Sequence, residues 1–243
     1  MSEINVQFPD NSNKKFQSGI SCLEIVKSIS NSLAKKVLVA SYNENLIDLS
    51  TKLTTDGKIK FYTWDDTEGK STFWHSSAHL LAESIESLYP GVKFGIGPPI
   101  SNGFYYDIDL EESLSENDLE KIELRMKELA QTKYNVVREV VTRKKAIDVF
   151  KKRKEDFKLR LIDDIPDDEI IALYYHEEYI DMCRGPHVTS VRHLKAFKLT
   201  KVSGAYWRGD SNNEMLQRIY GCLLYTSDAA DDTPCVDLGG RRI

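Results

Sequence analysis

The chain has 243 residues and a formal net charge of −5, a length that allows two modest domains, each with its own core. Its 41% hydrophobic and 29% charged residues are those of an ordinary soluble globular protein, and no run approaches the roughly 20 apolar residues of a membrane span. The acidic balance argues against broad nonspecific binding to nucleic acid, although a local basic face is still compatible with it. Met1-Ser-Glu-Ile-Asn5 lacks the regions of a secretory signal, and Cys22, Cys183, Cys222 and Cys235 are too scattered for a disulfide framework, so a cytoplasmic setting is expected.

Residues 1–63 read as one small unit. Ile4–Phe8 alternates apolar and polar residues like a half-buried strand, Pro9–Asn13 supplies a turn, and Lys14–Gln17 returns. Ser21-Cys-Leu-Glu24 is a capping-box pattern that opens a helix with Leu23, Ile25, Val26 and Ile29 on one face. Val37–Tyr42 and Gly57–Tyr62 complete a strand, helix and strand order that predicts a ubiquitin-like β-grasp. With no histidine and no clustered carboxylates, this unit reads as a structural or interaction module. Residues 64–72 are polar and read as a linker.

Residues 73–221 read as a larger α+β domain. Phe73, Trp74, Ala78, Leu81, Ala82, Ile85 and Leu88 have helical spacing, and Pro90-Gly91 stops the helix. Lys93–Asp107 reads as two strands joined by a glycine- and proline-rich link. Its Gly95-Ile-Gly97 is not a nucleotide fingerprint, because no third glycine opens a helix, and it points instead to close backbone approach. Ser115–Gln131 and Lys144–Lys154 read as helices, Tyr134–Thr142 as a strand. Nine cations between Arg143 and Arg160 form a basic stretch that is either a solvated face or a phosphate contact. Ile170–His176 and Ala196–Tyr206 read as strands flanking the loop that contains Cys183.

The chemistry sits in two short motifs. His75-Ser-Ser-Ala-His79 places two imidazoles one helical turn apart, and Cys183-Arg-Gly-Pro-His187 adds a thiol and a third imidazole. Together they have the donor types of a tetrahedral zinc site. The pattern is not that of a zincin, because Ser76 stands where that motif needs a glutamate base. Without metal, the same residues could hold a water with a neutral histidine as general base, or Cys183 could act as a nucleophile beside His187. His176 and His193 have no partner at ligand spacing and read as structural.

The two motifs, with Gly97–Asp107, Tyr174–His187 and Gly204–Gly221, closely resemble the N-terminal part of bacterial threonyl-tRNA synthetases over residues 1 to 221. The resemblance implies that the β-grasp is a TGS domain and that the second domain is an editing domain hydrolysing seryl-tRNA(Thr). Related alanyl-tRNA editing proteins bind zinc at the matching His/His and Cys/His positions, whereas threonyl editing domains generally work without it. It further implies that His75 orients or activates the attacking water, that His79, Cys183 and His187 shape the pocket, and that Lys158 stabilises charge near the scissile ester. Tyr106 and Asp181 match substrate-pocket positions, Asp181 as a partner for the substrate ammonium. Phe157 stands where tyrosine is common in the family.

No cofactor is expected in this chain. Residues 222–243 break from the family pattern and resemble translated sequencing-adapter DNA, so they are expected to be a disordered, non-native tail. The family's ATP, magnesium and zinc belong to an aminoacylation domain expected to be missing here, and its homodimer interface is expected to be largely missing too, which implies a monomer. The expected partner is the aminoacylated end of tRNA(Thr), with no membrane. Two other readings stay open, a free-standing zinc-dependent trans-editing hydrolase and a noncatalytic tRNA-binding module.

Overall fold

In the computed structural model, residues 2–222 are described, and they form two α+β units built from short elements. The first contains β1 (Glu3–Gln7), β2 (Asn13–Gln17), β3 (Ile20–Ser21), α1 (Cys22–Ile29), α2 (Asn31–Lys36), β4 (Val39–Tyr42), β5 (Asn45–Ile47), β6 (Lys52–Leu53) and β7 (Gly57–Tyr62). Its main sheet has the order β2-β1-β7-β4-β5, with β1 and β7 parallel. Alternation in β1 buries Ile4 and Val6 against Ile25 and Val26 of α1. The Ser21–Glu24 capping box forms as its residue types dictate: Ser21 Oγ accepts from the Glu24 amide while Glu24 Oε2 accepts from the Ser21 amide at 2.8 Å.

The linker expectation is corrected in part. Helix α3 spans Thr67–Leu88, so most of the polar segment at 64–72 is helical. Composition misleads here because the first turn carries Thr67, Glu68 and Lys70 on its outer side while Gly69 and Thr72 are buried. The middle of α3 is buried all round. Ser76, Ser77 and Ser84 are tolerated there because each hydroxyl donates to the carbonyl four residues back.

Around α3 the second unit places β8 (Lys93–Phe94), β9 (Pro99–Ile100), β10 (Gly103–Asp109), α4 (Glu116–Thr132), β11 (Val137–Val141), α5 (Arg143–Arg153), α6 (Asp156–Asp163), β12 (Ile171–His176), β13 (Tyr179–Met182), β14 (Lys198–Tyr206) and β15 (Met215–Cys222). One sheet runs β14-β15-β10-β8, with β9 on β10, and packs on α3 and α4. A second runs β11-β12-β13 and packs against α5 and α6. Helix α3 lies between the two sheets, with its His75–His79 segment facing β13. Helix α6 and strands β13 and β15 are not among the expected elements; α6 and β13 are short, at eight and four residues, whereas β15 is eight residues long. Strand β15 includes Cys222, paired in register with Lys198, so the disorder expected from residue 222 does not include that residue. Apart from Cys222, the expected disordered tail, 222–243, lies outside the described residues.

Candidate active site

Helix α3 projects His75 and His79 from one face, with ring centroids 5.2 Å apart. The β12–β13 hairpin then delivers the Cys183–His187 loop against them. Gly185 makes that possible: its φ is +68°, and a Cβ there would stand 2.0 Å from the Tyr174 hydroxyl oxygen. The Gly185-Pro186 peptide is cis. The His187 ring lies 4.1 Å from that of His79 and 4.3 Å from that of His75, centroid to centroid. One donor atom from each of His75, His79, Cys183 and His187 falls within 4.8 Å of all the others. The two sequence motifs therefore meet.

Hydrogen bonding fixes the protonation of this group. Ser76 Oγ donates to Thr72 O at 2.8 Å and accepts from the Val188 amide at 3.0 Å. With its proton committed, Ser76 can only accept at its 3.1 Å contact with His187 Nδ1, so that nitrogen carries the hydrogen. His187 Nε2 is then an acceptor, and Cys183 Sγ, 2.9 Å away, donates to it. The surroundings agree. Burial and the neighbouring histidines hold His187 well below the ordinary imidazole value, and burial pushes the Cys183 thiol well up. Burial likewise keeps His79 neutral and pushes His75 down to about 4, with Asp181 opposing the shift and Lys158 adding to it. The serine between the histidines, set aside in the sequence as a missing glutamate, is what orients His187.

A charged group faces these neutral imidazoles. Lys158 on α6 is 3% exposed and forms an ion pair with Asp181 Oδ1 on β13. Its ammonium also donates to Tyr106 Oη at 3.0 Å, and Tyr106 donates in turn to Asp181 Oδ2 at 2.5 Å. Tyr179 donates to Asp181 Oδ2 at 3.0 Å and the Met182 amide to Oδ1 at 2.7 Å, while His79 Nε2 stands 3.6 Å from Oδ2. Burial opposes ionisation of Asp181, but Lys158 and these donors outweigh it and hold the carboxyl below the usual range. Every expected site residue is thus gathered in one place. The expected role of Asp181 shifts, however, because its ammonium partner within the chain is Lys158.

These side chains line one cavity of about 500 Å³, walled by His75, His79, Tyr106, Lys158, Asp181 and Cys183 on one side and by Ile96–Pro99 and Ile170–Ala172 on the other. Gly97 lies in that wall against the Tyr106 ring, which a Cβ on it would meet at 2.2 Å. Lys144, Lys145, Lys151, Lys152 and Lys154 remain exposed on and after α5, and Lys158 alone of the lysines in the basic stretch turns inward. His176 does have a partner. Its Nδ1 is 3.3 Å from Glu83 Oε2, which also accepts from Tyr134.

The donor set suits zinc in type and number. Tetrahedral zinc would hold its donors roughly 3.5 Å apart. Cys183 Sγ and His187 Nε2 are instead hydrogen-bonded at 2.9 Å, with the thiol protonated, so metal binding requires loss of that proton and a wider spacing. No helix among the described residues is long and apolar enough to cross a membrane.

Residues 4–63 match the TGS domain, and residues 171–220 match the family described as the threonyl and alanyl tRNA synthetase second additional domain. The second match covers β12 to β15, with Asp181, Cys183 and His187, and stops short of the α3 histidines and Lys158. Over 219 residues, 90% of its length, the chain is 48% identical to a threonine–tRNA ligase of Stenotrophomonas maltophilia, 35% of which it covers. It is also 48% identical over 218 residues, again 90% of its length, to a threonine–tRNA ligase of Carboxydothermus hydrogenoformans, covering 34% of that protein. The chain spans about a third of the length of these curated relatives.

Proposed function

We propose that the chain is an N-terminal part of a threonyl-tRNA synthetase and that it hydrolyses serine wrongly esterified to tRNA(Thr). Serine and threonine differ by one methyl, worth only about 1–3 kcal/mol of discrimination in a binding pocket. An enzyme that attaches threonine therefore needs a second site to remove serine. The observation that carries the reading is the buried Lys158 ammonium, fixed by Asp181 and Tyr106 on the wall of a cavity that His75 also lines.

The chemistry follows from these groups. A water in the cavity attacks the ester carbonyl while His75, neutral down to pH of about 4, takes its proton. Negative charge develops on the carbonyl oxygen and is met by the Lys158 ammonium, which is already in place and needs no reorganisation. Collapse of the tetrahedral intermediate expels the ribose oxygen, which recovers the proton from His75, leaving free serine and uncharged tRNA. Asp181 holds Lys158, and Tyr106 bridges the two. His79, Cys183 and His187 form a neutral wall against which the amino acid and terminal ribose lie.

We assign the attachment of threonine to tRNA(Thr), with its ATP, magnesium and a separate zinc, to the two thirds of the relatives' length that this chain does not match. We take the chain to act as a monomer in the cytoplasm, with the aminoacylated end of tRNA(Thr) as partner and no cofactor. A second reading, a zinc-dependent trans-editing hydrolase, draws on the four donor atoms within 4.8 Å. In that case His75, His79, Cys183 and His187 would hold the ion, which would supply Lewis-acid activation of water. Deacylation of seryl-tRNA(Thr) by the purified chain, with His75→Ala and Lys158→Ala as controls, tests the main reading. Serine-selective hydrolysis lost in both variants supports it, and full activity in both overturns it.

A further inference from the structure

The Asp48 carboxylate lies in the first domain, yet among the described residues the side chains bonded to it, and the amide of another residue, come from the second. Asp48 follows β5 and is 6% exposed. Its Oδ1 accepts from the His187 amide at 2.9 Å. The Tyr174 hydroxyl is shared between Oδ1 at 3.2 Å and Oδ2 at 3.0 Å. Arg138 Nε stands 3.5 Å from Oδ2 and supplies the countercharge. A carboxylate is buried at a large desolvation penalty unless it is paired and hydrogen-bonded, and here the compensation comes across the domain boundary.

Both of its hydrogen-bonding partners belong to the support of the Cys183–His187 loop. The His187 amide is the loop's own backbone. The Tyr174 ring faces the His187 ring at 4.4 Å, and its hydroxyl fills the space above Gly185. We infer that Asp48 is a positioning residue of the hydrolytic site, so that the N-terminal domain completes that site by holding the Cys183–His187 loop against α3. This rests on the hydrolytic reading proposed above. It changes the standing of the first domain, which its sequence marked only as a structural or interaction module.

The test uses the full 243-residue chain and preformed seryl-tRNA(Thr). Asp48→Ala is expected to lower kcat by about 10- to 100-fold with KM held within about twofold, the signature of a displaced loop and not of lost tRNA binding. Asp48→Asn, whose carbonyl still accepts from the His187 amide, is expected to recover most of that rate. Leu38→Ala is the control for domain docking alone, since Leu38 packs from the first domain into the core of the second. It should leave kcat nearly unchanged. Hydrogen exchange over residues 183–190 gives a readout independent of activity, with the His187 amide expected to exchange about tenfold faster in Asp48→Ala.

An unchanged kcat in Asp48→Ala, or an equal loss in Leu38→Ala, overturns the inference. If Asp48→Ala does not fold, Tyr174→Phe replaces it. A fall in kcat at constant KM then supports the inference, and no fall overturns it. If the wild-type chain releases no serine, the hydrolytic reading falls, and the exchange measurement alone decides whether Asp48 holds the loop.

Discussion

Cys183 Sγ donates a hydrogen bond to His187 Nε2 across 2.9 Å, and His187 is held in that tautomer by Ser76 on the opposite ring nitrogen. A thiol in this setting is a proton donor, and burial pushes its pKa well above the ordinary range. Cys183 is therefore expected to be a poor nucleophile. Iodoacetamide at pH 8 should alkylate it at least about tenfold more slowly than an exposed thiol. Mass spectrometry during turnover should find no seryl adduct on Cys183. A trapped thioester would contradict this assignment.

The same hydrogen bond bears on metal. In the metal-free account, the purified chain should carry well under one equivalent of zinc, and a chelator should leave deacylation unchanged. One zinc per chain, lost together with activity in Cys183→Ala, would move the assignment to the zinc hydrolase.

Lys158 and Asp181 form an ion pair with both members almost fully buried. Removing one charge strands the other. Lys158→Met should destabilise the fold by about 3–5 kcal/mol, because Asp181 is left uncompensated. Lys158→Met combined with Asp181→Asn should recover a large part of that loss, although deacylation stays abolished. Urea unfolding of the two single variants and the double variant measures the coupling. Strictly additive losses would show that the pair does not stabilise its members against burial.

Glu155 provides a pH dependence. Burial pushes its carboxyl up to about 7, even though the Phe94 amide, Lys158 and Arg153 favour the charged form while Asp181 disfavours it. The unfolded value is near 4.5, so between these limits the folded state binds the proton more tightly. The stabilisation is fully present below pH of about 4.5 and is lost as pH rises through about 7. Across a shift from 4.5 to about 7 it amounts to roughly 3 kcal/mol. Glu155→Gln should flatten this fall in a series of melting curves between pH 4.5 and 8. An unchanged slope would assign the trend to other groups.

The β-grasp was legible because its strands alternate cleanly and Ser21-Cys-Leu-Glu24 is a local capping signal. His75, His79, Cys183 and His187 were legible because scarce residue types recur at fixed spacing. Position alone did not reveal Ser76 or Asp48, since serine and aspartate are common everywhere and their partners, His187 and Tyr174, are over a hundred residues away. The partner of His176 had a usable signal. Glu83 lies four residues beyond His79 and so continues the same helical face toward β12. Lys158 was placed by resemblance and not by pattern, because α6 is only eight residues long and sits inside a run of cations that read as solvated.

The central claim is that a neutral His75 and a fixed Lys158 hydrolyse the wrong aminoacyl ester. Its most direct test is single-turnover deacylation of seryl-tRNA(Thr) and threonyl-tRNA(Thr) by the wild-type chain and by His75→Ala. The account predicts that the wild type releases serine much faster than threonine, and that His75→Ala lowers the serine rate by about 100-fold or more while its melting temperature stays near that of wild type. Equal rates for the two esters, or an undiminished serine rate in His75→Ala, would contradict it.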